Sequence, residues 1–453
     1  MKKYFFLVLI LISQSLVSQC WRIVSTGDVH KIAIRNDSTL WAWGLNNHGQ
    51  LGDGSTTNSN YPIQIGSTNN WDTISIGHQY SLARKTDGTL WAWGLNDNGQ
   101  LGDGTNIEKL VPVQIGYDNN WAKISTGANC CFAIKTDGSL WAWGYNYNGQ
   151  LGNASSLDSN VPIRIGNDWK DIFGGERGNT SAIKNDGTLW VWGNNQFGQL
   201  GLGNNLSINS PVKINNSNNW KMVSGGGYHT LALKTDGTLW AWGSNYQGQY
   251  GDGTTTNKLT PKQIGTETNW KYISAGGYHS LCIKTDGTLW AMGANSIGQL
   301  GNGSTTNSKI PIQIGADNSW KTIETGYENS SALNSEGSLF AWGSNYYGTS
   351  GNGTTTDNYL PIIIPCDVNV VKENDLIKLY SLIYPNPTED ILIIKESHNY
   401  KIQRIEILDN YGSQVINIKN PTSLVRVEDL KVGLYHILFM IDNKVYESKF
   451  VKK

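Results

Sequence analysis

The sequence predicts an all-β molecule, a seven-bladed β-propeller followed by a small C-terminal β-sandwich. Three observations carry this. A five-residue phrase, Leu-Trp-Ala-Trp-Gly or a near copy, begins at Leu40, Leu90, Leu140, Leu189, Leu239, Leu289 and Leu339, so it returns every 50 residues with one step of 49. A fixed period of this kind means stacked supersecondary units, none able to bury its apolar surface alone. In most copies an Asp-Gly pair stands between two short apolar runs just before the phrase, the signal of a tight hairpin. After Cys366 tryptophan vanishes, and alternating strands with Pro and Gly turns take over.

The elements follow in chain order. Residues 1–19 have the layout of a secretory signal peptide: Met1-Lys2-Lys3, an apolar run over 4–12, and a polar stretch over 13–19. The run is too short for a permanent span, so no transmembrane segment is expected in the mature chain. Cleavage is expected after Ser18 or Gln19. A rival reading, a lipidated Cys20, needs a small residue before the cysteine and meets Gln19 instead. The propeller is assigned to residues 20–366, a linker to 367–382, and the sandwich to 383–453.

Each repeat opens with Trp-x-x-Ile-Ser-x-Gly or a near copy as a first strand. The hairpin and the Trp-rich phrase supply the next two, and a short strand such as 62–65, with Pro62 at its first position, is the fourth. Period-two alternation puts both tryptophans of the phrase on one face and Leu and Ala on the other, so a bulky face can nest on a small one in the next blade. All 19 tryptophans are absorbed this way. Seven open the repeats and six fill each slot of the phrase, Phe340 and Met292 taking the vacant places. Their abundance therefore marks core and not a sugar-stacking surface.

Charge excludes some partners. Lys plus Arg total 35 against 36 for Asp plus Glu, so no global field favours nucleic acid or an anionic membrane. Of five cysteines, Cys130, Cys131 and Cys282 read as small buried side chains. Cys20 and Cys366 align with Asn70 and Ser67, three residues apart at an internal junction, so they are expected to form a disulfide that closes the ring. No catalytic, phosphate-binding or calcium motif occurs, and Asp53, Asp103 and Asp252 read as turn residues. One slot per blade holds His30, Tyr80, Cys130, Asn179, His229, His279 and Asn329. Alternation between ligand and non-ligand types there argues for buried hydrogen bonding, so no metal, cofactor or catalytic residue is expected.

The phrase from Gly276 to Gly301, Gly-x-x-His-Ser-x-x-x-Lys-x-Asp-Gly-x-Leu-Trp followed by Gly-x-Asn-x-x-Gly-Gln-Leu-Gly, resembles the repeat of the regulator of chromosome condensation family. The resemblance covers Trp21 to about Pro365 and implies a seven-bladed propeller. It does not carry over the founding member's guanine-nucleotide exchange, because a signal peptide directs this chain to another compartment. Secreted binding members, one of which plugs the active site of β-lactamases, are nearer in compartment. The tail has a Tyr384-Pro385-Asn386-Pro387 opening, an Ile405-x-Ile407-Leu408-Asp409-x-x-Gly412 middle, Leu430-x-x-Gly433-x-Tyr435 and a basic end. These resemble the C-terminal sorting domain of the type IX secretion system of Bacteroidetes. The resemblance implies contact with that machinery and delivery to the outer surface or exterior.

Seven copies in one chain also form an internal alignment. Slots that vary while their neighbours stay fixed are free to serve a ligand. The loop Gly-x-Asn-x-x-Gly after each phrase holds six aromatics in such slots, Tyr145, Tyr147, Phe197, Tyr246, Tyr346 and Tyr347, all expected on one end of the propeller. The reading is a monomeric, secreted or surface propeller that binds a protein or glycan through that face without catalysis. Two alternatives stand beside it, an extracellular polysaccharide-degrading enzyme and a purely structural surface protein. The enzyme would need an Asp, Glu, His, Arg or Tyr cluster at the channel mouth. Asp28, Glu176, Arg177 and Glu328 are the charged departures in the turns there.

Overall fold

The computed structural model describes residues 20–365, 383–384, 388–394, 402–409, 414–419, 424–441 and 444–453. The signal segment 1–19, Cys366, the whole linker 367–382, the Pro385-Asn386-Pro387 opening and the turn at 410–412 lie outside the described residues.

Seven four-stranded antiparallel sheets form the first unit, each built from four consecutive strands in chain order. Blade 1 consists of Trp21–Thr26, His30–Arg35, Leu40–Gly44 and Ser59–Gln64, and the other six repeat the plan. First strands neighbour one another around a central channel. Fourth strands form the rim.

The nesting of large on small is observed. Leu40 and Ala42 of blade 1 share a core with Trp71 and Trp93 of blade 2, and Leu339 and Ala341 of blade 7 share one with Trp21 and Trp43 of blade 1. The second tryptophan of the phrase is fully buried and donates its indole N–H one blade back, Trp93 to the Gln50 carbonyl at 2.9 Å and Trp143 to that of Gln100 at 3.0 Å. The first is half-buried and tied to its own hairpin. Trp91 donates to Thr89 Oγ1 at 2.9 Å, and Thr89 donates to Asp87 Oδ1 at 2.6 Å. The Lys85 ammonium sits 3.8 Å above the Trp91 ring, a stabilising cation–π contact.

One detail differs from expectation. Pro62 is the fourth residue of its strand, not the first. The strand is outermost, and the ladder is irregular between Ala42 and Gly44 opposite the proline, so the missing N–H falls on an edge that has no partner to lose.

The histidine slot is structural in the blades that carry it. His30, His229 and His279 meet Ser81, Ser280 and Ser330 of the next blade through Nε2 at 3.0, 2.8 and 2.9 Å. Each serine gives its proton to a glutamine carbonyl, of Gln50, Gln249 or Gln299, so the imidazole must donate and Nε2 carries the hydrogen. Burial holds all three rings neutral, with pKa pushed down to about 3.

No strand is exchanged between blades at the seam. Blade 7 closes on blade 1 through the shared core and through hydrogen bonds: Trp21 N to Gly337 O, 3.2 Å; Gly353 N to Asn60 O, 2.9 Å; Trp43 Nε1 to Thr349 O, 2.9 Å. Lys31, buried, donates to Ser331 Oγ across the same seam at 2.5 Å. Cys20 is disulfide-bonded, while Cys130, Cys131 and Cys282 are buried free thiols. The expected partner, Cys366, lies outside the described residues.

The tail forms two sheets. Ile383–Tyr384, Ile391–Ile394 and Leu424–Arg426 make one; Gln414–Lys419, Ile402–Leu408, Gly433–Ile441 and Lys444–Lys452 make the other. Leu392 and Val425 from the first pack with Ile405, Ile407, Ile437, Phe439 and Phe450 from the second.

Candidate functional site

Antiparallel pairing fixes which loops share an end. A first strand ends where the second begins, and the third ends beside the start of the second, as His30 opposite Gly44 shows. The turn after every first strand and the long loop after every third therefore emerge together. They are bonded to each other as well, for example Leu45 N to Val29 O at 2.8 Å and Ser244 N to Tyr228 O at 2.8 Å.

The long loop is rigid because its asparagine acts as a hub. Asn46 receives the Leu51 N–H on Oδ1 at 2.9 Å, and its amide donates to Asp53 Oδ1, Ser55 O and Thr57 O at 3.0 to 3.1 Å. Asp53 is thereby a turn residue, as its sequence setting suggests. The residue after the hub has nowhere to go but outward. Tyr147, Tyr246 and Tyr346 occupy that slot at 73%, 62% and 73% exposure. The other three predicted aromatics are half-buried: Tyr145 stacks on Tyr147, Tyr347 packs edge-on to Tyr346, and Phe197 packs edge-on to Tyr228. The six thus share one end but do not form one continuous patch.

Three further residues on this end escaped the sequence reading. The position just before the last loop residue is Thr in blades 1, 5, 6 and 7 but Ile107, Leu157 and Leu206 in blades 2, 3 and 4, exposed at 65%, 77% and 70%. The same internal alignment that singled out the tyrosines contains this signal.

At the centre of the end lies the channel mouth, opening on a cavity of about 180 Å³. Asp28, His78, Ala128 and Glu176 of the turns after the first strands line it, and the equivalent turn positions of blades 5, 6 and 7 hold Gly227, Gly277 and Tyr327. The Tyr327 ring crosses blades 6 and 5, where glycine leaves room; a Cβ on Gly277 would come within 2.7 Å of it. The Tyr327 hydroxyl accepts from Arg177 at 3.3 Å. The Arg177 guanidinium lies 5.3 Å from both the Tyr228 and Tyr327 rings, and Tyr228 stacks on Tyr278 at 4.7 Å.

The other side of the mouth is acidic. Asp28 accepts the Tyr327 N–H at 2.5 Å and stands 3.6 Å from His78 Nε2. Burial raises its pKa, opposed by His78. Burial and the Asp28 charge push the Glu176 carboxyl well above the carboxylate range. Burial alone brings Glu324 to about 7, and Glu328 is raised by burial and then by Asp28 and Asp357. Arg177 reaches the mouth because blade 4 carries one extra turn residue. Trp169 and Asn179 are ten apart where Trp21 and His30 are nine, and a linker two residues shorter before Trp169 conceals the insertion in the 49-residue step. Among the described residues no group of three His, Cys, Asp or Glu is placed to hold a metal ion.

Residues 175–381 match the RCC1-like domain, and 37–84, 87–134 and 137–179 match the regulator of chromosome condensation (RCC1) repeat. Residues 382–453 match the secretion system C-terminal sorting domain. Among solved structures, human WBSCR16 is similar over 72% of this chain and 94% of that one, at 22% identity and a TM-score of 0.65. Prp20p from Saccharomyces cerevisiae is similar over 78% and 89%, at 20% identity and a TM-score of 0.65. No curated protein matches the chain in sequence. Identities this low speak for fold alone.

Proposed function

The chain is a propeller of RCC1 repeats with a type IX secretion C-terminal sorting domain, placed by that domain at the cell surface or exterior, and from this premise we propose that it is a non-catalytic binding protein whose aromatic loop end recognises an extracellular protein or glycan. The observation that supports this is the contrast in exposure. In a molecule whose repeat tryptophans are buried or half-buried, Tyr147, Tyr246 and Tyr346 project from rigid, equivalent loops. Large aromatic rings held out at low conformational cost are the usual anchors of recognition surfaces. Ile107, Leu157 and Leu206 extend the apolar area on the same end. Against catalysis stands the narrowness of the channel, whose cavity is well below the roughly 300 Å³ at which small-molecule pockets begin.

The purified protein applied to an array of glycans and outer-surface proteins should yield a ligand. Replacing Tyr147, Tyr246 and Tyr346 together with Ala should weaken binding by about 1 kcal/mol or more for each true anchor, fivefold or greater in affinity. Stability should change by no more than about 0.5 kcal/mol per site. A fall in melting temperature with binding intact would show that the rings serve the fold instead.

A further inference from the structure

We propose that the channel mouth is a receptor for one cationic side chain, a lysine or arginine projecting from a protein partner seated on the aromatic loop end. The inference rests on that end being the docking surface and adds the chemistry read at its centre.

The channel wall shows where hydrogen-bonding capacity is left over. Around most of the ring, serines of the first strands staple neighbouring blades: Ser75 to Thr126 at 2.8 Å, Ser125 to Gly174 N at 3.0 Å, Ser224 to Ala275 N at 3.0 Å, Ser274 to Thr325 at 2.7 Å. At the seam between blades 7 and 1 the pattern fails. Glu324 stands in the serine slot, and Thr26, 7% exposed and lining the cavity, has a buried Oγ1 without a partner. Glu176 also lines the cavity, and its Oε2 is buried with no hydrogen-bond partner.

Buried acceptors left unmade are costly, and a ligand that brings several donors with a positive charge relieves them. A lysine ammonium brings three donors, a guanidinium five. The cavity admits one extended side chain. Tyr228, Tyr278 and Tyr327 offer aromatic faces for the aliphatic stem, and Arg177 lying against two of them shows that this rim accepts a cation. Charge complementarity therefore selects a basic protein segment over an uncharged glycan.

The test uses the full chain and a capped Gly-Lys-Gly tripeptide, with the same peptide acetylated on the lysine as control, measured by calorimetry at neutral pH. The lysine peptide should bind at least about tenfold more tightly than its acetylated form. The Glu176→Gln, Glu324→Gln double variant should abolish that preference while melting at or above the parental temperature, and Arg177→Gln, which removes a competing cation, should tighten binding several-fold. Binding should release protons, seen as a dependence of the heat on buffer ionisation, because a cation favours the charged carboxylates. Equal affinities, no binding at about 10 mM peptide, or a preference unchanged in the double variant would overturn the proposal. So would an array ligand that proves to be an uncharged glycan. A tripeptide engages the mouth alone, so these failures leave the aromatic loop reading standing, and that reading falls only on its own array and tyrosine tests.

Discussion

Glu324 in a serine slot shows how one side chain can set a pH response. Its pKa rises from an ordinary 4.5 to about 7 on folding because burial disfavours the charge. The folded state then holds a proton that the unfolded chain has lost, so the contribution is neutral below about 4.5, falls through the interval, and stays unfavourable above about 7. The expected outcome is that Glu324→Gln stabilises the protein above neutrality, by as much as about 3 kcal/mol, with the gain vanishing near pH 4. The readout is the difference between variant and parent in denaturant melts across pH. A difference is needed because His30, His229 and His279 act in the opposite sense. Their depressed pKa values mean stability lost as pH falls from about 6.5 toward 3. A variant whose advantage does not shrink in acid would refute the assignment.

At the scale of the element, the blade interface obeys a volume rule. The residue before the second glycine of the Gly-Gln-Leu-Gly segment is Leu51, Leu101, Leu151, Leu200 and Leu300 in five blades and Ser350 in blade 7, but Tyr250 in blade 5. Its neighbour in the next blade is the second slot of the phrase, where blade 6 has Met292 in place of tryptophan, and Tyr250 and Met292 lie in one core cluster. A larger ring meets a smaller partner. Tyr250 also hydrogen-bonds the Gly243 carbonyl and the Lys258 N–H, which fixes its rotamer. Tyr250→Leu alone should open a cavity and Met292→Trp alone should overpack, each costing about 1–3 kcal/mol. The double variant should recover most of the loss, a coupling of about 1 kcal/mol or more measurable by a double-mutant cycle. Additive losses would sink the rule. This element was legible in the sequence because period-two alternation and identical copies expose faces directly; the strand holding Pro62 was legible in place but not in extent, since edge position and not register excuses the proline. The mouth was much less legible. Its residues come from different slots, Glu324 in the strand and Asp28, Glu176 and Tyr327 in the turn, and only the closed ring brings them together. Arg177 was visible as a charged departure, but the insertion that lifts it into place was masked by a deletion.

For the whole molecule the governing feature is the seam. Peptide mapping without reduction should return Cys20 joined to Cys366, the one remaining cysteine in a chain of five. In the chain-entropy model a loop of this length is worth roughly 5 kcal/mol, so reduction should lower the melting temperature while the three buried thiols stay unreactive until unfolding. Recovery of Cys20 as a free or lipidated peptide would contradict this. Because each blade is drawn from one uninterrupted stretch and none lends a strand to its neighbour, succession along the polypeptide and succession around the circle coincide. The thread could therefore be cut at any inter-blade linker without dividing a sheet, provided the new ends were tied as Cys20 ties the present ones.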